Sequence, residues 1–202
     1  MTRIQNSKNL YVTSVLKNSI HRTNSFFKIN KQSIMASSYV VDMQCFKTLQ
    51  NEFIIKELCI VGVNSNFCYQ CVVKPPIPFC SLCDEMKKRV NYITNYIHGI
   101  PWYVGYLSED EVITILRNIL KKAARVYIKG SERANYLSFL LNYKIPVIDL
   151  DIFDFKRRQL RENKNCKCHN IFNHKHLRLR CAVTKACTYR DWLETEMEMG
   201  GV

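Results

Sequence analysis

Apolar and polar residues alternate in three short runs near the start of the chain, SYVVDMQCF (38–46), EFIIKELCIVGV (52–63) and FCYQCVV (67–73). Each run is rich in β-branched and aromatic residues, which favour extended backbone. Polar segments of five and three residues separate the runs, and connections this short join neighbouring antiparallel strands. The pattern predicts a meander of three antiparallel strands, ended by PPIP (75–78).

From residue 81 onward the apolar residues recur at helical spacing. Leu82, Met86, Val90 and Ile93 predict a helix over 81–97, and SEDEVITILRNILKK predicts another from Ser108, with acids in its first turn and lysines in its last. The remaining segments alternate, in the order strand (125–130), helix (131–142), strand (145–151) and helix (181–194). The fold class predicted is α/β, an RNase H-like mixed sheet of three antiparallel strands followed by alternating α and β elements, with flanking helices.

The first 36 residues differ in composition from the rest, with six basic residues and no acid. We expect residues 1–36 to be a disordered basic extension, 37–196 to be the RNase H-like domain and 197–202 to be a tail. Two alternatives stay open for the extension. A mitochondrial transit peptide over 1–34 would have the same composition, and Met35 could be the true start.

Composition indicates a globular core with an unusual charge. Hydrophobic residues make up 47% of the chain, and 30 Lys and Arg against 17 Asp and Glu give a net charge of +13. A surplus this large favours a polyanionic partner such as RNA, although a solvated basic surface gives the same count. Without an evident signal peptide or membrane span, we expect an intracellular protein of the cytoplasm or nucleus, whose ten cysteines stay reduced.

The segment CYQCVVKPPIPFCSLC (68–83) resembles a zinc ribbon at first sight. Cys68 and Cys71 lie in the third predicted strand, however, where residues three apart point to opposite faces. The two pairs are also closer than the spacing of about 15–20 residues common in ribbons. We therefore expect no four-cysteine zinc site here, and expect Cys80 and Cys83 to be packing residues.

The segment NCKCHNIFNHKHLRLRCAV (165–183) is a better candidate metal site. Thiolate and imidazole are the preferred ligands of Zn²⁺, and Cys166 with His169 forms a compact C-x-x-H chelate. Cys181 would join them from the first turn of the last helix, and Glu57 is a candidate fourth ligand. By alternation, Glu57 shares one face of the second strand with Phe53, Ile55, Cys59 and Val61. A carboxylate there needs a cation or a donor, which zinc or an arginine would supply. An incidental cluster in a basic loop stays the alternative.

Five segments together resemble the Maelstrom domain over residues 38–194: VVDMQ (40–44), KELCIV (56–61), HGIPW (98–102), VYIKGSERANYL (126–137) and CKCHNIFNHKHLRLRCAVTKA (166–186). That domain is an RNase H-like relative of the DEDD exonucleases, associated with small-RNA (piRNA) silencing of transposons. The chain is also similar to uncharacterised insect proteins of this type.

The resemblance implies one structural zinc ion with a Glu-Cys-His-Cys ligand set, which falls on Glu57, Cys166, His169 and Cys181. The gap between His169 and Cys181 departs in length from the family pattern. It leaves His174 or His176 as replacements for His169, and Cys168 as a replacement for Cys166.

DEDD nucleases hold two Mg²⁺ or Mn²⁺ ions with about four carboxylates. In the resemblance their acidic positions fall on Asp42, Gln44, Asn135 and a final helix carrying Arg180 and Lys185. One acid of the four remains, so these positions are degenerate and we expect no two-metal nuclease activity. Asp149 and Asp151 could form a different site, or cap the turn after their strand.

The leading hypothesis is a non-catalytic domain that binds single-stranded RNA, a protein partner or both. The predicted RNA-binding surface is the basic loop 156–180, with Lys156, Arg157, Arg158, Arg161, Lys164, Lys167, Lys175, Arg178 and Arg180. Two alternatives stay open. One is a nuclease that acts on single-stranded RNA through Asp42, Glu57 and the His-rich loop, and the other is a host-interaction module of viral or mobile-element origin.

Overall fold

The computed structural model describes residues 37–153 and 181–199, which contain a five-stranded mixed sheet. Its strands are β1 (Ser38–Lys47), β2 (Phe53–Gly62), β3 (Cys68–Val72), β4 (Arg125–Ile128) and β5 (Val147–Asp149). The spatial order is β3-β2-β1-β4-β5, with β1, β2 and β3 antiparallel and with β4 and β5 parallel to β1. This order and these directions are those of an RNase H-like sheet, and the predicted fold class is confirmed.

The described helices are α1 (Asp84–Ile93), α2 (Glu109–Leu120), α3 (Ser131–Leu140) and α4 (Ala182–Glu198). The predicted start of α2 is confirmed, because Ser108 and Glu111 form a reciprocal capping box. The helix predicted over 81–97 is divided instead. A 3₁₀ turn (Phe79–Ser81) precedes α1, and a π-helical turn (Thr94–His98) follows it.

Two apolar clusters cover the two faces of the sheet. On one face, Val41 and Leu58 lie in the same cluster as Leu116 of α2 and Leu137 of α3. On the other face, Val40, Cys59, Val61 and Tyr127 pack with α4, which contributes residues that include Ala186 and Leu193. The sheet is therefore enclosed between α2 and α3 on one side and α4 on the other, which buries both of its faces.

A β-bulge in β2 decides which side chains face α4. Gln44 pairs with Glu57 whereas Cys45 pairs with Ile55, so Lys56 is an extra residue opposite β1. Because of this extra residue, the side chains of β2 before the bulge point to the opposite faces from those that simple alternation with Glu57 predicts. Ile55 accordingly belongs to the cluster under α2 and α3. The prediction that Phe53 and Ile55 share the face of Glu57 is therefore wrong. Phe53 stacks on Tyr136 of α3, with ring centroids 4.9 Å apart.

The extra residue, Lys56, is buried and ties the segment around Trp102 to the sheet. Its ammonium group donates to the carbonyl oxygens of Val73 (3.1 Å), Trp102 (2.7 Å) and Val104. Burial lowers the pKa of Lys56 to about 7, and the three carbonyl oxygens replace the water that the ammonium loses. Trp102 itself lies in the core, whereas Tyr103 is 74% exposed.

Cys68 and Cys71 lie on opposite faces of β3, as the strand periodicity predicts. Cys71 is buried in the cluster under α2 and α3, while Cys68 is exposed and lies near Cys59 on the other face. The expectation that Cys80 and Cys83 are packing residues is wrong, because both are exposed. Cys83 instead precedes α1 at its N-cap.

Several predictions fall on parts of the chain outside the described residues. These are the basic extension (1–36), the basic loop (156–180) with its Cys and His residues, and the end of the tail (200–202). Among the helices of the described part, none has both the length and the apolar character needed to cross a membrane.

Candidate site at the carboxyl ends of the parallel strands

The carboxyl ends of the parallel strands β1, β4 and β5 lie on the same side of the sheet. Open α/β sheets bind their ligands outside these strand ends. The pairing of β1 with β4 extends from Ser38 to Val40, so Asp42 lies just beyond the last paired residue. Helix α3 begins three residues after β4 ends, and α4 packs across the same region of β1. Side chains from three elements can therefore meet at Asp42.

Asp42 is fully buried and contacts two cations. Arg133, in the first turn of α3, donates from Nη1 to Asp42 Oδ1 at 3.2 Å, and Lys185 Nζ of α4 lies 4.0 Å from Oδ2. Burial raises the pKa of Asp42 above its ordinary value, and the charges of Lys185 and Arg133 offset part of that rise. The Asp42 carboxyl group therefore lies between two positive side chains.

Of the four positions that the resemblance aligns with nuclease acids, the structure brings together Asp42 and Lys185. Gln44 is buried two residues further along β1, and Asn135 lies on the exposed surface of α3. The residue of α3 that reaches Asp42 is Arg133, which the sequence analysis missed. Its only signal was a basic residue in the first turn of a helix that follows a strand, a position that usually favours acids.

The two acids at the end of β5 are held by their own loops. Asp149 Oδ1 accepts from Gly130 N (2.8 Å) and from Asp151 N (3.0 Å), and Asp151 pairs with Lys129. Gly130 has a φ of 98°, a conformation that favours glycine, and it precedes α3. The interpretation of Asp149 as a turn cap is thus confirmed, and this acid also fixes the loop that presents Arg133.

Glu57 is the second fully buried acid on the α4 face. Its Oε1 accepts from Gln70 Nε2 at 2.7 Å, and its Oε2 accepts from the backbone N–H of Ala182 at 2.9 Å. Ala182 is the first residue of α4, where unpaired N–H groups and the helix dipole favour a negative charge. Glu57 thus joins the centre of the sheet to the start of α4 across 125 positions of sequence.

Cys181, the predicted zinc ligand next to Ala182, is the buried N-cap of α4. Its Sγ accepts from Thr184 N at 3.2 Å, and its thiol donates to Thr184 Oγ1 at 3.1 Å. The structure therefore places Glu57 and Cys181 at the same helix end. Cys166 and His169, with Cys168, His174 and His176, lie outside the described residues, as do the nine basic residues of the loop.

Within residues 37–153 and 181–199, no three Cys, His, Asp or Glu side chains converge at metal-binding distance. The described part holds two of the four predicted zinc ligands, Glu57 and Cys181. The zinc site accordingly stays a prediction.

Comparisons with known proteins identify no family. No family model matches the chain, and no curated protein does. One solved structure, described as "3'-end specific recognition of histone mRNA stem-loop by 3'-exonuclease", is similar, with a TM-score of 0.36 and 16% sequence identity. The match covers 64% of this chain and 49% of that one, so the chain spans about half the length of its structural neighbour.

The burial of Asp42 generates a prediction about pH. The folded-state pKa of Asp42 lies above the ordinary value of 3.8. Below pH 3.8 Asp42 is protonated in both the folded and the unfolded state, so its burial costs no ionisation energy. As pH rises toward the folded-state pKa, the unfolded state ionises more readily and the folded state loses stability. Relative to Asp42→Asn, the native protein should therefore become less stable as pH rises from 3.8 toward the folded-state pKa of Asp42.

Urea denaturation of both proteins across this pH range measures the difference. In the opposite trend, the native protein would become more stable relative to Asp42→Asn as pH rises. That result would show that the charges of Arg133 and Lys185 lower the pKa of Asp42 by more than burial raises it. It would overturn the assignment of a raised pKa to Asp42.

Proposed function

We propose that the chain is a non-catalytic RNase H-like domain of Maelstrom type that binds single-stranded RNA. The observation that carries the proposal is the environment of Asp42. At the sheet edge where a nuclease would gather carboxylates, this acid contacts Arg133 and Lys185. Arginine and lysine are residues that contact phosphate, so the same geometry that opposes a metal suits an RNA backbone.

Charge arithmetic at the site favours an anion over a divalent cation. One carboxylate is shared between two cations, which leaves one positive charge at the edge of the sheet. A Mg²⁺ ion about 4 Å from either cation would be repelled by roughly 8 kcal/mol at an effective dielectric of about 20. Asp42 supplies one carboxylate against these two cations, and the acids at the end of β5, Asp149 and Asp151, already hold loop groups.

The basic loop 156–180 would supply most of the contacts to RNA. This loop follows β5 in the sequence and contains nine Lys and Arg residues. The whole chain carries a net charge of +13. Contacts of this kind give affinity that depends on salt and tolerates many sequences. From the resemblance to the Maelstrom domain, we propose that this binding occurs in a small-RNA silencing complex, where a protein partner would also contact the domain.

A salt titration of RNA binding tests this function. Three loop arginines, Arg157, Arg158 and Arg161, are replaced with Gln. The slope of log affinity against log salt is negative, and this change should make it shallower by about 2 for a single strand. Replacing the exposed Lys88, Lys121 and Lys122 with Gln is the matched control, and should change the slope by less than about 1. The measurement uses fluorescence anisotropy with a labelled single-stranded RNA.

The same RNA incubated with Mg²⁺ should remain intact. Cleavage that requires Mg²⁺ and is lost in Asp42→Ala would establish the nuclease alternative and refute the non-catalytic proposal. Equal slopes for the native protein and the loop variant, or no RNA binding at low salt, would instead leave a protein partner as the ligand.

We further propose that one structural zinc ion is held by Glu57, Cys166, His169 and Cys181. Support comes from the start of α4, where the Glu57 carboxylate accepts from Ala182 N at 2.9 Å and so lies beside the Cys181 residue. As a thiolate, Cys181 would accept hydrogen bonds from both Thr184 N and Thr184 Oγ1. The donor set of two sulfurs, one imidazole and one carboxylate is suitable for zinc. Zinc would tie the loop 156–180 to the sheet and to α4.

Metal analysis of the purified chain tests this site. We expect one zinc per chain, lost in Cys166→Ser and in Cys181→Ser but kept in Cys68→Ser. Because structural zinc contributes directly to folding, chelation should lower the melting temperature of the native protein and leave that of Cys181→Ser unchanged. Zinc that persists in Cys181→Ser, or that is lost in Cys68→Ser, would place the metal elsewhere.

A further inference from the structure

Two exposed tyrosines lie side by side on the outer surface of α1 and the turn that follows it. Tyr92 belongs to α1 and Tyr96 to the π-helical turn. Their ring centroids are 5.3 Å apart, with an angle of 41° between the ring planes. The two residues are 59% and 61% exposed, so each ring leaves much of its aromatic surface open to solvent although the rings contact each other.

The tyrosines face outward because the other side of α1 belongs to the core. Met86 and Val90 pack with Phe46 of β1 in one apolar cluster. Tyr92 and Tyr96 are four residues apart and share a different face. A ring pair at this spacing stabilises a helix only slightly. The π-helical turn that carries Tyr96 is a rare element, which occurs frequently at functional sites.

The surroundings of the tyrosine pair are polar and basic. From residue 86 to residue 108 the chain contains three Lys and Arg residues and no acid. One of the three, Lys88, is exposed and precedes Tyr92 by four residues, which places both on one helical face. Asn91 and Asn95 are exposed beside the rings. Aromatic rings among amides and a cation suit a ligand with flat rings and negative charge, whereas an apolar protein segment requires an apolar groove.

Helix α1 lies at the same end of the sheet as the cations around Asp42. Phe46, which packs under α1, follows Asp42 by four residues in β1, a distance of about 13 Å along the strand. Arg89 of α1 donates from Nη1 to the carbonyl oxygen of Thr48, just beyond the end of β1, at 2.6 Å. The aromatic pair and the proposed phosphate-binding cations therefore belong to one end of the molecule.

We propose that Tyr92 and Tyr96 form a base-stacking subsite for single-stranded RNA. The inference rests on the proposed RNA binding and extends it, because the basic loop and the cations around Asp42 contact phosphates whereas the tyrosine pair contacts bases. Every base has an aromatic face, so stacking adds affinity without selecting a sequence. Lys88 would contact one phosphate beside the stacked base. The loss of one such contact makes the salt slope shallower by about 0.7, which agrees with the limit of about 1 for the lysine control.

Fluorescence anisotropy with a labelled single-stranded RNA tests the subsite in the full-length chain. Tyr92→Ala combined with Tyr96→Ala should weaken binding about 10- to 100-fold, because stacking on each ring contributes a factor of about 5 or more. The slope of log affinity against log salt should stay the same, because the substitutions remove no charge. Tyr92→Phe combined with Tyr96→Phe keeps both rings and should bind within about twofold of the native protein.

A second pair of exposed aromatic residues provides the matched control. Phe139 and Tyr143 are 60% and 74% exposed and are also four residues apart. They lie where α3 ends, before β5 begins, and thus at the opposite end of the sheet from Asp42. Phe139→Ala combined with Tyr143→Ala should leave the affinity within about twofold of the native value. An abasic oligomer of the same length and charge should bind the native protein and the tyrosine-to-alanine variant equally, because it has no bases to stack.

Crosslinking needs no substitution, so misfolding of a variant cannot be mistaken for a negative result. Single-stranded RNA that contains 5-iodouridine is irradiated while bound to the native protein. The uridine adduct should form on Tyr92 or Tyr96, which tandem mass spectrometry would locate within the tryptic peptide 90–117.

The failure of the subsite and the failure of RNA binding give different results. Equal affinity of the native protein and the tyrosine-to-alanine variant, or an equal loss of affinity for the abasic oligomer, would overturn the subsite and leave RNA binding intact. An equal loss in the Phe139 and Tyr143 control, or adducts only on other residues, would have the same meaning. No RNA binding by the native protein at low salt would refute the proposed function, and the subsite with it.

Discussion

The carboxylate of Glu57 is the interaction on which the arrangement of the sheet and α4 depends. It is fully buried, and its two oxygens accept from Gln70 at 2.7 Å and from the first N–H of α4 at 2.9 Å. A buried charge is tolerated only where donors meet it, and here one donor is the positive end of a helix. Glu57 follows the bulge at Lys56 and faces α4. The irregularity in β2 therefore positions the hydrogen bond that joins the sheet to α4.

Helix α4 transmits this constraint to the edge of the sheet. Once Glu57 fixes its first residue, Lys185 lies one turn along and reaches Asp42, which Arg133 approaches from α3. A single carboxylate then neutralises only one of two cations, and the sheet edge keeps positive charge. Two cations and one acid therefore meet where β1 passes beyond its pairing with β4, and this arrangement comes from side chains that the fold alone does not specify.

Periodicity and turn chemistry predicted the meander, the strand and helix order and the start of α2 at Ser108, because these are local properties. The bulge at Lys56 was not predicted, because alternation does not reveal an extra residue until the pairing with β1 is known. The same limit concealed Arg133, whose contact with Asp42 spans 91 positions of sequence. For Glu57 the sequence indicated that a buried acid needs a partner, but Gln70 and a backbone N–H carry no sequence signal.

Hydrogen exchange of Glu57→Gln tests the central claim most directly, with Glu111→Gln at the start of α2 as the matched control. The amide has one acceptor oxygen where the carboxylate has two, so we predict a loss of about 2 kcal/mol in unfolding free energy. Amide protection should fall most in the first turns of α4, and the control should leave α4 unchanged. Unaltered protection of α4 in Glu57→Gln would contradict the account.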